Sequence, residues 1–167
     1  MPRMVKSENI PTNYPDTELY LIYNHCNMVI AVDFDGTCVT HEYPRVGKNI
    51  DAAPVLRKLV ENGHQLILWT MRCDFGKLPI IGAENEIEDG NFLQQAVDWF
   101  KENNIPLYGI QNNPTQHSWT KSPKAYAQMY IDDAALGCPL KYDKSISNRP
   151  FVDWIEIEEM LVEKGII

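Results

Sequence analysis

Two short acidic strings stand out for the chemistry they could support. Asp33-Phe34-Asp35-Gly36-Thr37 follows the β-prone run Met28–Val32, and Asp132-Asp133 follows Gln128-Met129-Tyr130-Ile131. Asp33 and Asp35 lie two apart, so extended backbone would aim both carboxylates to one side. Gly36 permits a sharp turn there and leaves backbone N–H groups free to face an anion. If the two strands are neighbours, three or four carboxylates converge and repel one another. A hard divalent cation relieves that repulsion. Mg2+ suits it best, because it binds through one or two carboxylates together with waters and phosphate oxygens.

Convergence of this kind has to be built by strands. Met28–Val32 is continuously apolar rather than alternating, the pattern of a strand buried on both faces, as in a parallel sheet. Gln65–Trp69 is a second such run and ends at Thr70-Met71-Arg72. Leu107–Ile110 is a third, and Gln128–Ile131 a fourth. Between them, Val55, Leu56, Leu59 and Val60 make one helical stripe, with Asp51 placed as N-cap and Gly63 as C-terminal cap. Phe92, Leu93, Ala96, Val97 and Phe100 mark a second helix, capped by Asn91 and finished near Asn104. Trp154, Ile157 and Leu161 mark a C-terminal helix with Gly165 past its end. This alternation predicts an α/β fold around a central parallel sheet. Chemistry in open parallel sheets gathers at the carboxyl ends of strands, and three of the four strands here end in polar clusters.

Composition narrows the partners. The chain has 167 residues and a formal net charge of −8, which fits one domain and disfavours a general grip on polynucleotides. No stretch approaches the roughly 20 apolar residues of a membrane span. The polar N-terminus has no signal-peptide core, so a cytoplasmic address is expected. Cys26, Cys38, Cys73 and Cys138 show no metal-ligand spacing and read as small buried or half-buried thiols. Residues 1–27 read as a loose arm, with Thr17–Cys26 able to add an edge strand or a short turn of helix, and 28–167 as the core domain.

The motifs also resemble those of the haloacid dehalogenase (HAD) superfamily. Asp33-Phe34-Asp35-Gly36-Thr37 is similar to its first motif, Thr70 after a strand to its second, Lys124 to its third, and Tyr130-Ile131-Asp132-Asp133 to its fourth. They occur in family order across residues 28–133, about two thirds of the chain. The string Thr40-His41-Glu42-Tyr43-Pro44-Arg45-Val46-Gly47 resembles small bacterial members without an assigned substrate. The resemblance implies a three-layer Rossmann-like core and a Mg2+-dependent phosphomonoesterase. Asp33 would be the nucleophile that forms an aspartyl-phosphate, and Asp35 the acid and then the base. Thr70 and Lys124 would hold phosphoryl oxygens, with Lys124 also keeping Asp33 ionised. Asp132 and Asp133 would hold Mg2+ with Asp33 and the backbone carbonyl of Asp35. Members that attack carbon–halogen bonds lack the second Asp, which favours phosphoryl transfer.

Neither usual insertion point, Cys38–Ile50 or Gln111–Pro123, has room for a cap domain, so no cap is expected. The generous segment is Cys73–Gly90, with the acidic residues Glu84, Glu86, Glu88 and Asp89; it reads as a solvated loop or a substrate-selecting flap. Arg72 and Arg45 are candidate substrate-binding residues, Arg72 resembling an Arg of polynucleotide 3′-phosphatase domains. Trp119 and His117 read as structural before substrate-facing. The expected partner is a phosphorylated small molecule, a nucleotide included, and a homo-oligomer is compatible with the sequence. Two alternatives stand beside this: a nucleotide or nucleic-acid-end phosphatase, and a non-catalytic phosphate- or Mg2+-binding module.

Overall fold

The computed structural model describes residues 27–79 and 87–167. The expected arm, apart from Asn27, and so the strand or helical turn at Thr17–Cys26, lie outside these residues, as do Glu84 and Glu86. Four strands, β1 (Val29–Val32), β2 (Gln65–Leu68), β5 (Leu107–Ile110) and β6 (Met129–Ile131), pair in parallel in the order β5-β2-β1-β6. All four are the strands expected from the apolar runs, to within a residue at each end. Ile30, Ala31 and Val32 of β1 and Leu66, Ile67 and Leu68 of β2 are all buried, as unbroken apolarity requires.

The chain builds outward from β1 to β2 to β5, then returns to β1's other side for β6. The direction of winding therefore reverses at β1. In open α/β sheets the crevice outside the strand ends at such a reversal is where ligands bind. Asp33 and Asp132 are the residues that follow β1 and β6. The ladder continues one step past the strands, through Asp33 N donating to Ile131 O at 3.0 Å and Trp69 N to Val32 O at 2.9 Å. These bonds fix the height at which the polar clusters emerge.

Helix α1 (Ala52–Glu61) buries Ala52, Ala53, Val55, Leu56 and Leu59 on one stripe. Each large apolar side chain so buried contributes roughly 1.5–3 kcal/mol. Gly63, at φ +87°, closes the helix through a bond from its N–H to Val60 O. Helix α2 (Phe92–Glu102) adds Phe92, Ala96 and Phe100, and α3 (Trp154–Glu163) adds Trp154, Ile157 and Leu161. Trp154 also donates from Nε1 to the carbonyl of Thr37 at 2.7 Å, which ties the C-terminal helix to the acidic turn. A two-stranded ladder of β7 (Leu140–Lys141) and β8 (Phe151–Val152) leads into α3.

Two helix caps differ from expectation. Asp51 precedes α1 at φ +65°, but its carboxylate accepts from the Asn49 amide at 3.3 Å and caps no helical N–H. Asn91 precedes α2 and also caps nothing. It ends strand β4 (Ile87–Asn91), which pairs antiparallel with β3 (Asp74–Pro79), and the residue opposite it is Asp74. Asp74 Oδ1 accepts from Leu93 N at 2.9 Å and Gln94 N at 3.2 Å. The cap comes across the hairpin, from a residue 19 positions away in sequence. The 73–90 segment is thus a β-hairpin where it is described, with an exposed ion pair between Lys77 and Asp89. Residues 33–51 and 111–128 hold only isolated bridges, turns and one short 3-10 turn, Gln116–Ser118, so neither contains an inserted domain.

Candidate active site

β1 and β6 are adjacent, and the acidic residues that follow them meet. One carboxylate oxygen each from Asp33, Asp132 and Asp133 lies within 4.8 Å of the other two. Asp33 is half-buried and its pKa is pushed up to about 7. Burial is the main cause, the negative charges of Asp132, Asp133 and Asp35 add to it, and a hydrogen bond from the Phe34 backbone opposes it. A site that leaves oxygen donors crowded and short of positive charge fits a hard divalent cation. The three carboxylates are the residues that could hold one.

The turn after β1 is firmly held. Thr37 is fully buried; its Oγ1 donates to Asp33 Oδ2 at 3.3 Å and accepts from Asp133 N at 3.0 Å. Cys38 Sγ donates to the Asp33 carbonyl at 3.2 Å, and burial, with the charges of Asp33 and Asp35, pushes its thiol pKa well up. Of the other described cysteines, Cys138 is half-buried and Cys73 is exposed, unlike the buried thiol expected of it.

Asp35 parts company with Asp33. Asp35 lies beyond the end of β1, in an isolated bridge with Val39 around a turn at residues 36–38. Asp35 is absent from the three-carboxylate cluster. Both its oxygens instead accept from Arg72, Nε to Oδ2 and Nη2 to Oδ1, each at 2.7 Å.

Arg72 requires the clearest correction. Expected at the mouth of the site, it is 1% exposed and turned inward. Besides Asp35 it donates to the carbonyls of Arg45 at 2.7 Å, Pro44 at 3.2 Å and Phe92 at 3.4 Å, and to Gln95 Oε1 at 3.4 Å. Its guanidinium carbon lies 5.0 Å from the Phe34 ring centre and 5.3 Å from that of Tyr43. A planar fork with five donors can join these elements at once, which a lysine cannot do. In this arrangement it offers nothing to a substrate. Arg45, exposed, contributes its carbonyl to this knot.

Thr70 reaches the site as expected. With Asp33, Trp69, Met71, Gln111 and Asp132 it lines a cleft of about 360 Å³. Its Oγ1 accepts from Arg72 N at 3.3 Å, which leaves its own proton to donate. Gln111, at φ +57°, is the residue sequence reasoning missed. Its side chain accepts from Thr70 N at 3.0 Å and donates to the carbonyls of Thr70 and Arg72, the latter at 3.0 Å. It therefore clamps the loop after β2 from the end of β5. Its only linear signal was its position just past a strand.

Lys124 does not pair with Asp33. It is exposed, and its Nζ lies 5.1 Å from the centre of the Tyr130 ring. No helix precedes β6 to aim it; residues 119–128 are irregular, and the aromatic face is what the ammonium meets. Trp119 is 63% exposed rather than buried, edge-on to Tyr126 with ring centres 5.4 Å apart, and His117 is exposed too.

Comparison with known proteins gives one informative likeness. A conserved protein from Bacteroides thetaiotaomicron, of solved structure, is 33% identical, with a TM-score of 0.59, over 83% of this chain and 93% of that one. The chain belongs to the family of that protein. No family profile matches the sequence, and no curated protein does. The membership supports the mixed α/β fold with its four-stranded parallel sheet, which is consistent with a Rossmann-like arrangement. Among the described residues, no helix is long and apolar enough to cross a membrane.

Proposed function

We propose that this chain is a Mg2+-dependent phosphomonoesterase of the haloacid dehalogenase type, without a cap domain, that works through an aspartyl-phosphate on Asp33. The observation that carries the proposal is the meeting of Asp33, Asp132 and Asp133 at the carboxyl ends of adjacent parallel strands, beside Thr70. Bound Mg2+ would offset the carboxylate repulsion and draw negative charge from the phosphoryl oxygens. The backbone carbonyl of Asp35 would add a fourth protein oxygen, and a phosphoryl oxygen and water would fill the remaining positions.

In this reading an oxygen of Asp33 attacks phosphorus and the bond to the leaving oxygen breaks. Thr70 donates to a phosphoryl oxygen, and Gln111 keeps Thr70 in place. Asp35 protonates the leaving oxygen and later takes a proton from the hydrolytic water. Both its oxygens now accept from Arg72, so one of those bonds must open first. Arg72's bonds to three carbonyls and Gln95 hold the guanidinium meanwhile. Lys124 can join only by leaving the Tyr130 face. The nucleotide or nucleic-acid-end alternative rests on Arg72 and on an open site, and of these Arg72 is committed to Asp35.

Purified protein given Mg2+ should release phosphate from p-nitrophenyl phosphate or from a panel of phosphorylated metabolites. Chelation should stop the reaction, and Asp33→Asn should be inert. A wild type inactive across that panel, nucleotides and phosphorylated ends included, sinks the proposal. Beryllofluoride bound at Asp33 argues against a non-catalytic module.

A further inference from the structure

We infer that His41 is a positioning residue that fixes the Asp133 carboxylate for the metal; this rests on the Mg2+ reading above. His41 Nε2 lies 2.9 Å from Asp133 Oδ2, and the two side chains are only 15% and 19% exposed. A carboxylate accepts, so Nε2 carries the proton and donates. The imidazole occupies a place that only glycine leaves open. A Cβ added at Gly36 would fall 2.1 Å from His41 Nε2, 2.5 Å from its Cε1 and 2.8 Å from Asp133 Oδ2. Gly36 is therefore required twice, for its φ of +83° and for the ring that lies against it.

Asp133 is consequently held at two points. Its N–H donates to Thr37 Oγ1, whose own proton goes to Asp33, and its Oδ2 accepts from His41. The hydroxyl fixes the backbone but leaves the side-chain torsions free, and the imidazole removes that freedom. Asp132 has a different restraint, its Oδ1 accepting from Ala134 N at 2.8 Å in a local turn. Without His41, Asp133 could turn away from the other two carboxylates, and their mutual repulsion would favour that turn. Partners that orient a metal ligand typically matter 10–100-fold in metal affinity.

The test is calorimetric titration of the full chain with Mg2+ alone. His41→Ala should weaken binding about tenfold or more, and His41→Gln, which places an amide N–H near the Nε2 position, should restore most of it. Phosphate release should show the same split, with more Mg2+ needed for half-maximal rate in His41→Ala and most of that shift recovered in His41→Gln. Gly36→Ala should weaken binding at least as much as His41→Ala, because its Cβ would displace both the imidazole and Asp133 Oδ2. Wild-type affinity in His41→Ala overturns the inference, and so does equal loss in the Ala and Gln variants, which would make ring bulk the cause. A wild type that takes up no Mg2+ overturns the metal reading and this inference together; normal binding with an unchanged His41→Ala overturns this inference alone.

Discussion

Asp33 emerges from β1 facing two more carboxylates, whereas Asp35, two residues later, has both oxygens on a guanidinium. The first has its pKa pushed up to about 7 by burial and like charge. The second sits in a knot that draws together the acidic turn, the loop at residues 43–45, and the first turn of α2 through Arg72. One cluster is short of positive charge and open to a cleft. The other is balanced and closed. The difference separates a carboxylate left short of a counter-charge from one held by an ion pair that also ties the fold together, within a single Asp-x-Asp.

The largest effect should come from removing the charge at Asp33. Asp33→Asn should lower phosphate release by on the order of 10⁴-fold or more, as loss of a nucleophile does. The same substitution should raise the melting temperature of the metal-free protein at neutral pH, because it deletes a buried, repelled charge while keeping the side chain's shape. Activity and thermal melting on one preparation check both. A variant that loses activity and stability together would mean that the Asp33 carboxylate helps hold the fold, as the Asp35–Arg72 pair does.

Arg72→Ala should move stability the other way. Breaking a buried ion pair from one side typically costs about 3–5 kcal/mol, since the remaining carboxylate is left without a partner. For a domain of this size that is a fall in Tm of roughly 6–20 °C. Arg72→Lys should recover only part of it, because an ammonium cannot span Asp35, three carbonyls and Gln95. If Arg72→Ala melts with the wild type, the closed cluster is not structural and Arg72 is free for a substrate after all.

The two clusters also differ in how well the sequence disclosed them. Strand runs ending in Asp33, Thr70 and Asp132 were visible because burial on both faces leaves an unbroken apolar string, and the parallel sheet followed. The helical stripes were visible for the same reason. Convergence of Asp33 with Asp132 and Asp133 needed only that β1 and β6 be neighbours. What the sequence concealed depends on contacts across long separations and on backbone geometry off the strand axis. Nothing in the spacing of Arg72 says that Phe34, Tyr43 and three carbonyls surround it. Gln111, His41 and Asp74 each act on a partner 19 or more residues away, and Lys124 goes to an aromatic face rather than to Asp33. The two misplaced caps show the same limit: Asp51 and Asn91 have the right residue types at the right positions, but Asn49 engages one carboxylate and the β3–β4 ladder holds the other residue.

A titration of stability against pH sharpens the contrast further. In the unfolded chain Asp33 ionises near its ordinary 3.8, and in the fold near 7. Between those values the folded state holds a proton that the unfolded state has lost. Its contribution to stability is therefore greatest below about pH 4 and falls as pH rises to 7. The ceiling is about 4 kcal/mol, and proton sharing among the three carboxylates lowers it. Subtracting the Asp33→Asn stability profile from the wild-type one isolates the effect, since the other acids are common to both. Mg2+ should restore stability most above pH 7, where the cluster is ionised, and by about 2.7 kcal/mol at a hundredfold excess over its dissociation constant. A wild-type profile parallel to that of Asp33→Asn would contradict the pKa shift itself.

The smallest expected effect belongs to a third carboxylate, Asp74, whose situation lies between those two. It is exposed, pairs with no cation among the described residues, and accepts from two backbone N–H groups at the start of α2. The helix N-terminus supplies its partial positive charge, and water supplies the rest. Asp74→Ala should cost about 1 kcal/mol, as loss of a helix cap does, and Asp74→Asn only a few tenths, because an amide oxygen caps nearly as well. Neither change removes a group from the cleft, so phosphate release should hold unless the hairpin itself acts on substrate. Urea unfolding resolves the first difference through its midpoint, and activity on the same two variants answers the second question. A drop in activity with little change in stability would move β3–β4 from a brace for α2 to a flap over the site, because a cap lost from α2 alone has no other route to the chemistry.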